Sequence, residues 1–137
     1  MNFSSGLEER VANQLNNLNT KFQYENLVIF YKDKLNKTRK YTPDFQLSNG
    51  IIIETKGKFL TADRRKHKLI RQQHNKKYDI RFVFSDPFQV CGKKTKTTYA
   101  DWCNIFGFKW ASLEIPKEWI FQTGKVSNLY ARPSNWL

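Results

Sequence analysis

Apolar residues recur at helical spacing near the start of the chain. Leu7, Val11, Leu15 and Leu18 form one stripe, which predicts a helix from Ser5 to about Leu18. Ser5-Gly6-Leu7-Glu8 before that stripe fits the S-x-x-E capping box that opens helices. The pattern then turns extended. Phe22 to Tyr31 (FQYENLVIFY) reads as a strand, and the basic stretch Tyr31 to Tyr41, without a clean turn signal, reads as an exposed connection. Tyr41 to Leu47 is a second predicted strand, with Pro43 near its start, where a missing backbone donor costs least. Ser48-Asn49-Gly50 then marks a turn into GIIIETKG, Gly50 to Gly57, whose isoleucines between glycines predict a strand buried on both faces. Alternation puts Ile52, Glu54 and Lys56 on one face and Ile51, Ile53 and Thr55 on the other.

Downstream, Thr61 is placed to cap a helix from Ala62 to about His74, and YDIRFVFS predicts a strand with Ile80, Phe82 and Phe84 on one face. Thr98 and Asp101 predict a capped helix ending near Gly107, and Ile115-Pro116 opens a final short turn or helix. Residues 121–137 form a C-terminal tail. Helix, three strands, helix, strand, helix predicts an α/β fold in which a central mixed sheet is flanked by helices. A length of 137 residues fits one domain, 1–137, able to bury a core without disulfides or structural metal.

Charge changes the picture from a generic α/β domain. The chain carries a formal net charge of +12, which points to a polyanionic partner, nucleic acid foremost and an acidic membrane surface as the alternative. Nine Lys or Arg fall between Lys56 and Lys77 against the single acid Asp63. A second basic run occupies Tyr31 to Tyr41, and a third cluster comprises Lys93, Lys94 and Lys96. One such cluster is ordinarily a solvated face, but three of one sign in a small domain favour phosphate binding. Cys91 and Cys103 lack zinc spacing, and His67 and His74 are not near them, so the thiols read as reduced. Neither a signal peptide nor an apolar run approaching the roughly 18 residues of a membrane span is evident, so the expectation is a cytoplasmic protein without membrane association.

The candidate chemistry lies where the second and third strands meet. If Leu47 faces Ile51 across a three-residue loop, Asp44 falls opposite Glu54, and Gly50 sits where a type I turn with a G1 bulge needs glycine. A two-residue Asn49-Gly50 turn is the rival, pairing Asp44 with Thr55 and sending the carboxylates to opposite faces. Under the first register Asp44, Glu54 and Lys56 converge. Close carboxylates both stay ionised only beside a cation, and this oxygen-rich set suits Mg²⁺ or Mn²⁺. A lysine there can orient an attacking water or stabilise charge developing at phosphorus. The plainer alternative is a surface Lys-Glu pair beside an unrelated turn aspartate. Glu8 falls on the inward side of the first helix, yet as the third residue of a capping box it has a purely local use.

P-D-x(9)-E-T-K, Pro43 to Lys56, matches the short PD-(D/E)xK nuclease pattern. SGLEERVANQL, KFQYE, YTPDFQLSNGIIIETKG, DRRKHKLIRQQH, DIRFVFS and IPKEWI surround it in order. Together these resemble the phage endonuclease I family, Holliday-junction resolvases of T-odd coliphages. The resemblance implies a restriction-endonuclease-like core in an intertwined homodimer, and a metal-dependent endonuclease for four-way junctions and other branched DNA in a bacterial host cytoplasm. It further implies that Asp44, Glu54 and the Thr55 carbonyl hold one Mg²⁺ or Mn²⁺, that Glu8 helps hold a second, and that Lys56 serves the nucleophilic water. A bridge between subunits would fall around 32–40. Candidate DNA contacts are Lys58, Arg64, Arg65, Lys66, His67, Lys68, Arg71, Lys93, Lys94 and Lys96. A PD-(D/E)xK nuclease for linear or mismatched duplex, and a non-catalytic branched-DNA-binding protein, are the competing readings.

Overall fold

The computed structural model of the chain describes residues 2–74 and 77–121. In chain order the elements are α1 (Gly6–Asn17), β1 (Phe22–Tyr24), β2 (Ile29–Lys32), β3 (Thr38–Tyr41), β4 (Phe45–Leu47), β5 (Ile52–Lys56), α2 (Thr61–His74), β6 (Ile80–Phe84), α3 (Tyr99–Phe106), β7 (Trp110–Ser112) and α4 (Lys117–Phe121). The tail expected at the C-terminus falls, from residue 122 on, outside the described residues.

β5 lies at the centre of a five-stranded sheet ordered β1-β4-β5-β6-β7. It is antiparallel to β4 and parallel to β6, with α2 making the crossover, so the sheet is mixed as the pattern predicts. Two apolar layers follow from side-chain alternation. Ile51 and Ile53 pack with Val11, Leu15, Phe45 and Trp119 on the α1 and α4 side. Ile52 joins Phe59, Ile70, Phe82, Phe84, Trp102 and Phe108 on the other. All three isoleucines are fully buried, so β5 is a rigid strand through the middle of the core.

The register is the three-residue one. Phe45 pairs with Ile53 and Gln46 with Ile52, while Leu47 N donates to Ile51 O at 2.8 Å. Gly50 closes the turn with φ of 94°, a left-handed conformation open to glycine at little cost.

Three strand expectations differ from the structure. FQYENLVIFY is divided between two sheets, because Glu25 takes a left-handed φ of 48° and the chain leaves the central sheet there. The basic connection is a β-hairpin, β2 paired with β3. Its turn is organised by Asp33, whose Oδ1 accepts from the Leu35 and Lys37 amides at 2.9 and 3.0 Å, and Asn36 sits at φ 63°. In this single chain residues 32–40 thus fold back on themselves. Tyr41 to Leu47 is likewise divided, β3 ending at Tyr41 and β4 beginning at Phe45. β7, which the pattern did not predict, is a short edge strand parallel to β6.

Candidate active site

Asp44 sits at the end of β4, where the register carries it opposite Glu54 on β5. There the strands separate, and the side chains take the place of ladder bonds. Asp44 Oδ2 accepts from the Thr55 amide and hydroxyl, both at 2.8 Å. Glu54 Oε1 accepts from the Tyr41 hydroxyl at 3.0 Å and the Asp44 amide at 3.2 Å. Its Oε2 lies 3.6 Å from Lys56 Nζ.

Glu8 approaches from α1. Ser5 caps the helix through Oγ, which accepts from Glu8 N at 3.1 Å, but the reciprocal half of a capping box is replaced. Glu8 Oε2 accepts from the Ser4 amide (2.8 Å), the Ser4 hydroxyl (2.6 Å) and the Tyr24 hydroxyl (2.8 Å). Its carboxyl also hydrogen-bonds Asp44. Glu8 and Glu54 are each only 5% exposed, so neither is an incidental surface acid. Asp44 stands between them, linking the α1 side of the sheet to the α2 side.

These carboxyls share one pattern. In each of Glu8, Asp44 and Glu54 one oxygen is held by two or three protein donors, while the hydrogen bonds above leave the other oxygen to the site. Electrostatics match. Burial and then the Glu54 charge push the Asp44 carboxyl up to about 8, against the two Thr55 donors. Burial also raises Glu54, with the Lys56 and Lys66 charges opposing it. Glu8 ends below its ordinary value: burial raises it, but the hydrogen bonds of Ser4, Asp44 and Tyr24 outweigh that. The contact between the two carboxyls acts in opposite senses, raising Asp44 and lowering Glu8. Lys56 behaves oppositely. Burial lowers it, but Glu54 and Asp63 more than compensate, so it stays an ammonium at neutral pH and donates protons rather than abstracting them.

Residues that sequence reasoning missed complete the site. Asp63 binds Lys56 Nζ at 3.2 Å and the Leu60 amide at 3.2 Å, tying β5 to the start of α2. Thr61, expected as that helix's cap, is its first residue. The Tyr24 and Tyr41 hydroxyls orient Glu8 and Glu54. Glu25 brings a further carboxylate oxygen within 4.8 Å of one each from Glu8 and Asp44. Its signal was KFQYE and the lone acid in a basic stretch was that of Asp63, but neither string states a role.

A profile of the family described as Phage endonuclease I matches residues 1–130. The chain belongs to the phage endonuclease I family. It is 44% identical over 123 residues to Endonuclease I of Escherichia phage T7, covering 90% of this chain and 81% of that protein. It is 46% identical over 118 residues to Endodeoxyribonuclease 1 of Enterobacteria phage T3, covering 83% and 74%. In this family member Asp44, Glu54, Lys56 and Glu8 are brought together within one chain.

The candidate DNA contacts separate. Lys58, Arg65, Lys68, Lys93, Lys94 and Lys96 are exposed, and Arg64, Lys66 and Arg71 partly so. His67 is not a surface contact: it is 0% exposed, ringed by Tyr41, Phe59, Phe82 and Phe108. α2 turns His67 and Ile70 inward, and neither ring nitrogen of His67 has a hydrogen-bond partner. An unpartnered buried polar group costs roughly 1–3 kcal/mol by protein mutational data. His67→Leu is therefore expected to keep or raise the melting temperature at pH 8. Burial holds the imidazole well below its ordinary value, so on acidification below about 6.5 the unfolded chain takes up a proton the folded chain refuses. Parent stability is present above that pH and lost below it. Melting curves at pH 8 and 5.5 should show the gap widening in favour of the variant at the lower pH; parallel losses would mean the histidine finds a partner on protonation.

Proposed function

We propose that the chain resolves four-way junctions and other branched DNA by metal-dependent phosphodiester hydrolysis. Its family and the names of its relatives make it a DNA-cutting enzyme at the coarser level. The observation that carries the finer reading is the assembly of Asp44, Glu54 and Glu8, each with one oxygen anchored and one left to the site, beside a protonated lysine.

That donor set fits a hard divalent cation. Mg²⁺ or Mn²⁺ takes one or two carboxylates together with waters and phosphate oxygens. Asp44, Glu54 and the Thr55 carbonyl would hold one ion, and Glu8 with Asp44 a second. Such ions supply Lewis acidity toward the scissile phosphate and a more acidic water. The chain's own groups do the rest. Tyr41 and Thr55 fix the carboxylates, Lys56 offers its N–H groups to water or phosphate, and Asp63 keeps that ammonium in place. The cleaved strand would carry 5′-phosphate and 3′-hydroxyl ends.

Resolution needs two matched nicks, which a twofold homodimer with two sites supplies. The β2–β3 hairpin is the segment across which subunits would exchange, since it joins the α1–β1 part of the site to the β4–β5 part. Exposed cations contacting backbone rather than bases suit recognition of branch shape. The test is a nicking assay on a four-way junction and on linear duplex of the same arms, with Mg²⁺, with Ca²⁺ and without metal. Junction cleavage should require Mg²⁺ and exceed duplex cleavage; equal rates would favour a plain-duplex nuclease, and no cleavage a binding protein.

A further inference from the structure

Glu8 has two uses open to it. It is the third residue of α1, and an acid at that position ordinarily reaches back to the amide of the cap residue, here Ser5. That use is local to the helix end. Instead Oε2 passes over Ser5 and accepts from the amide and hydroxyl of Ser4, at 2.8 and 2.6 Å, with the Tyr24 hydroxyl at 2.8 Å as a third donor. Ser4 thus draws the carboxylate out of the cap. Ser4 is itself exposed and lies ahead of α1, outside both apolar layers.

What holds Ser4 in place is its neighbour. The Phe3 ring lies 4.8 Å from that of Tyr24 at 79° and 6.3 Å from that of Phe45, covering a cross-strand pair of β1 and β4. Such edge-on and tilted ring pairs are favourable packings. Phe3 therefore fastens the start of the chain to the same tyrosine whose hydroxyl binds Glu8. The contacts close a loop, Phe3 to Tyr24, Tyr24 to Glu8 and Glu8 to Ser4. All four residues precede the β2–β3 hairpin, so this loop would travel intact if subunits exchanged.

We propose that Ser4 is a positioning residue for the second ion, with Phe3 as its anchor. One oxygen each from Glu8, Asp44 and Glu25 lie within 4.8 Å of one another, and holding Glu8 by Oε2 leaves its other oxygen for that space. The proposal rests on the metal-dependent reading above and adds a dependence on two residues ahead of the first helix. Hydrogen-bond partners of a ligating carboxylate fix its orientation, and losing one typically weakens metal binding about 10–100-fold. Neither Ser4 nor Phe3 has to touch an ion for this.

The test is calorimetric titration of the full chain with Mn²⁺, without DNA, for the parent, Ser4→Ala, Ser4→Thr and Phe3→Ala. Circular dichroism melting confirms that each variant is folded. The parent is expected to take two ions per site. In Ser4→Ala the weaker ion should lose at least about tenfold in affinity while the tighter one stays within about twofold. Threonine, which keeps the hydroxyl, should restore the parental pattern, and Phe3→Ala should follow Ser4→Ala. An unchanged second ion in Ser4→Ala overturns the proposal. Equal weakening of both ions does so too, since Ser4 would then support the whole acidic cluster, as does a parent that takes one ion or a threonine variant that behaves like alanine. The nuclease reading fails separately: a parent that takes two ions yet cuts no DNA refutes the catalysis and leaves the role of Ser4 standing.

Discussion

Glu54→Gln will abolish strand cleavage and, in metal-free protein, raise the melting temperature. The first effect follows from losing the carboxylate charge whose Oε2 faces Lys56. Removing one preorganised electrostatic element from a reacting centre typically costs a factor of about 10² to 10³ in rate. The second follows from the raised carboxyls. Asp44, held up to about 8, and Glu54, also raised, keep protons that the unfolded chain releases near its ordinary carboxylate values. The stability they contribute is full below about pH 4 and is lost as pH rises toward the folded-state value of Asp44. At neutral pH the clustered carboxyls are thus a strain on the fold. Glutamine relieves it at nearly constant shape. A relief of about 1 kcal/mol corresponds to roughly 3–5 °C for a chain of this size, larger at pH 8 than at pH 5. Mg²⁺ should stabilise the parent by ligand linkage and the variant far less. DNA binding without metal should survive. A variant that melts lower and no longer binds DNA would show that Glu54 holds the fold and not an ion.

Mixing two inactive chains, Glu8→Ala and Lys56→Ala, will restore nicking if subunits exchange across the hairpin. In an exchanged dimer one site then combines both altered residues and the other combines both intact ones. Activity rises from background to about a quarter of parental nicking, because about half of randomly re-paired dimers are mixed and each has one competent site of two, and products are single nicks. Without exchange each site retains one defect, and the mixture stays as inactive as its components after co-refolding. The assay thereby separates the intrachain Glu8–Asp44 contact described above from the same contact made between subunits. The hairpin's five-residue turn, organised around Asp33 with Asn36 in a left-handed conformation, is the place to intervene. Shortening it should favour exchange, because the reversal would no longer close.

Much of this was legible before the fold was. Three isoleucines between glycines fixed the core strand and its alternation, while Gly50 fits both turn lengths and leaves two registers open, of which the structure has the three-residue one. Counting along the three-residue register puts Asp44 opposite Glu54, as the structure has it. Glu8 was ambiguous in sequence because one string, SGLE, serves both a helix cap and an inward carboxylate. The structure resolves it through Ser4, which takes the carboxylate while Ser5 keeps the cap. The division of FQYENLVIFY was not legible: β propensity continues across the whole run, and the break depends on Glu25 N–H donating to Asp44 O, a contact nineteen positions away. β7 was missed since three residues at a sheet edge leave too short a pattern. His67 was misjudged because its neighbours in sequence are cations, whereas helical geometry directs it alone, with Ile70, to the interior.

Gly50 carries a consequence beyond its own turn. A side chain at a φ of 94° is strained, so a residue other than glycine there weakens the turn that holds β4 and β5 in register, and a slip of one residue would shift every position of one strand against its partner. Asp44 would then face Thr55, and the four candidate residues, all intact, would make no site. The candidate site is in that sense spelled at a position outside it, and a lesion there would leave its residues in the sequence untouched.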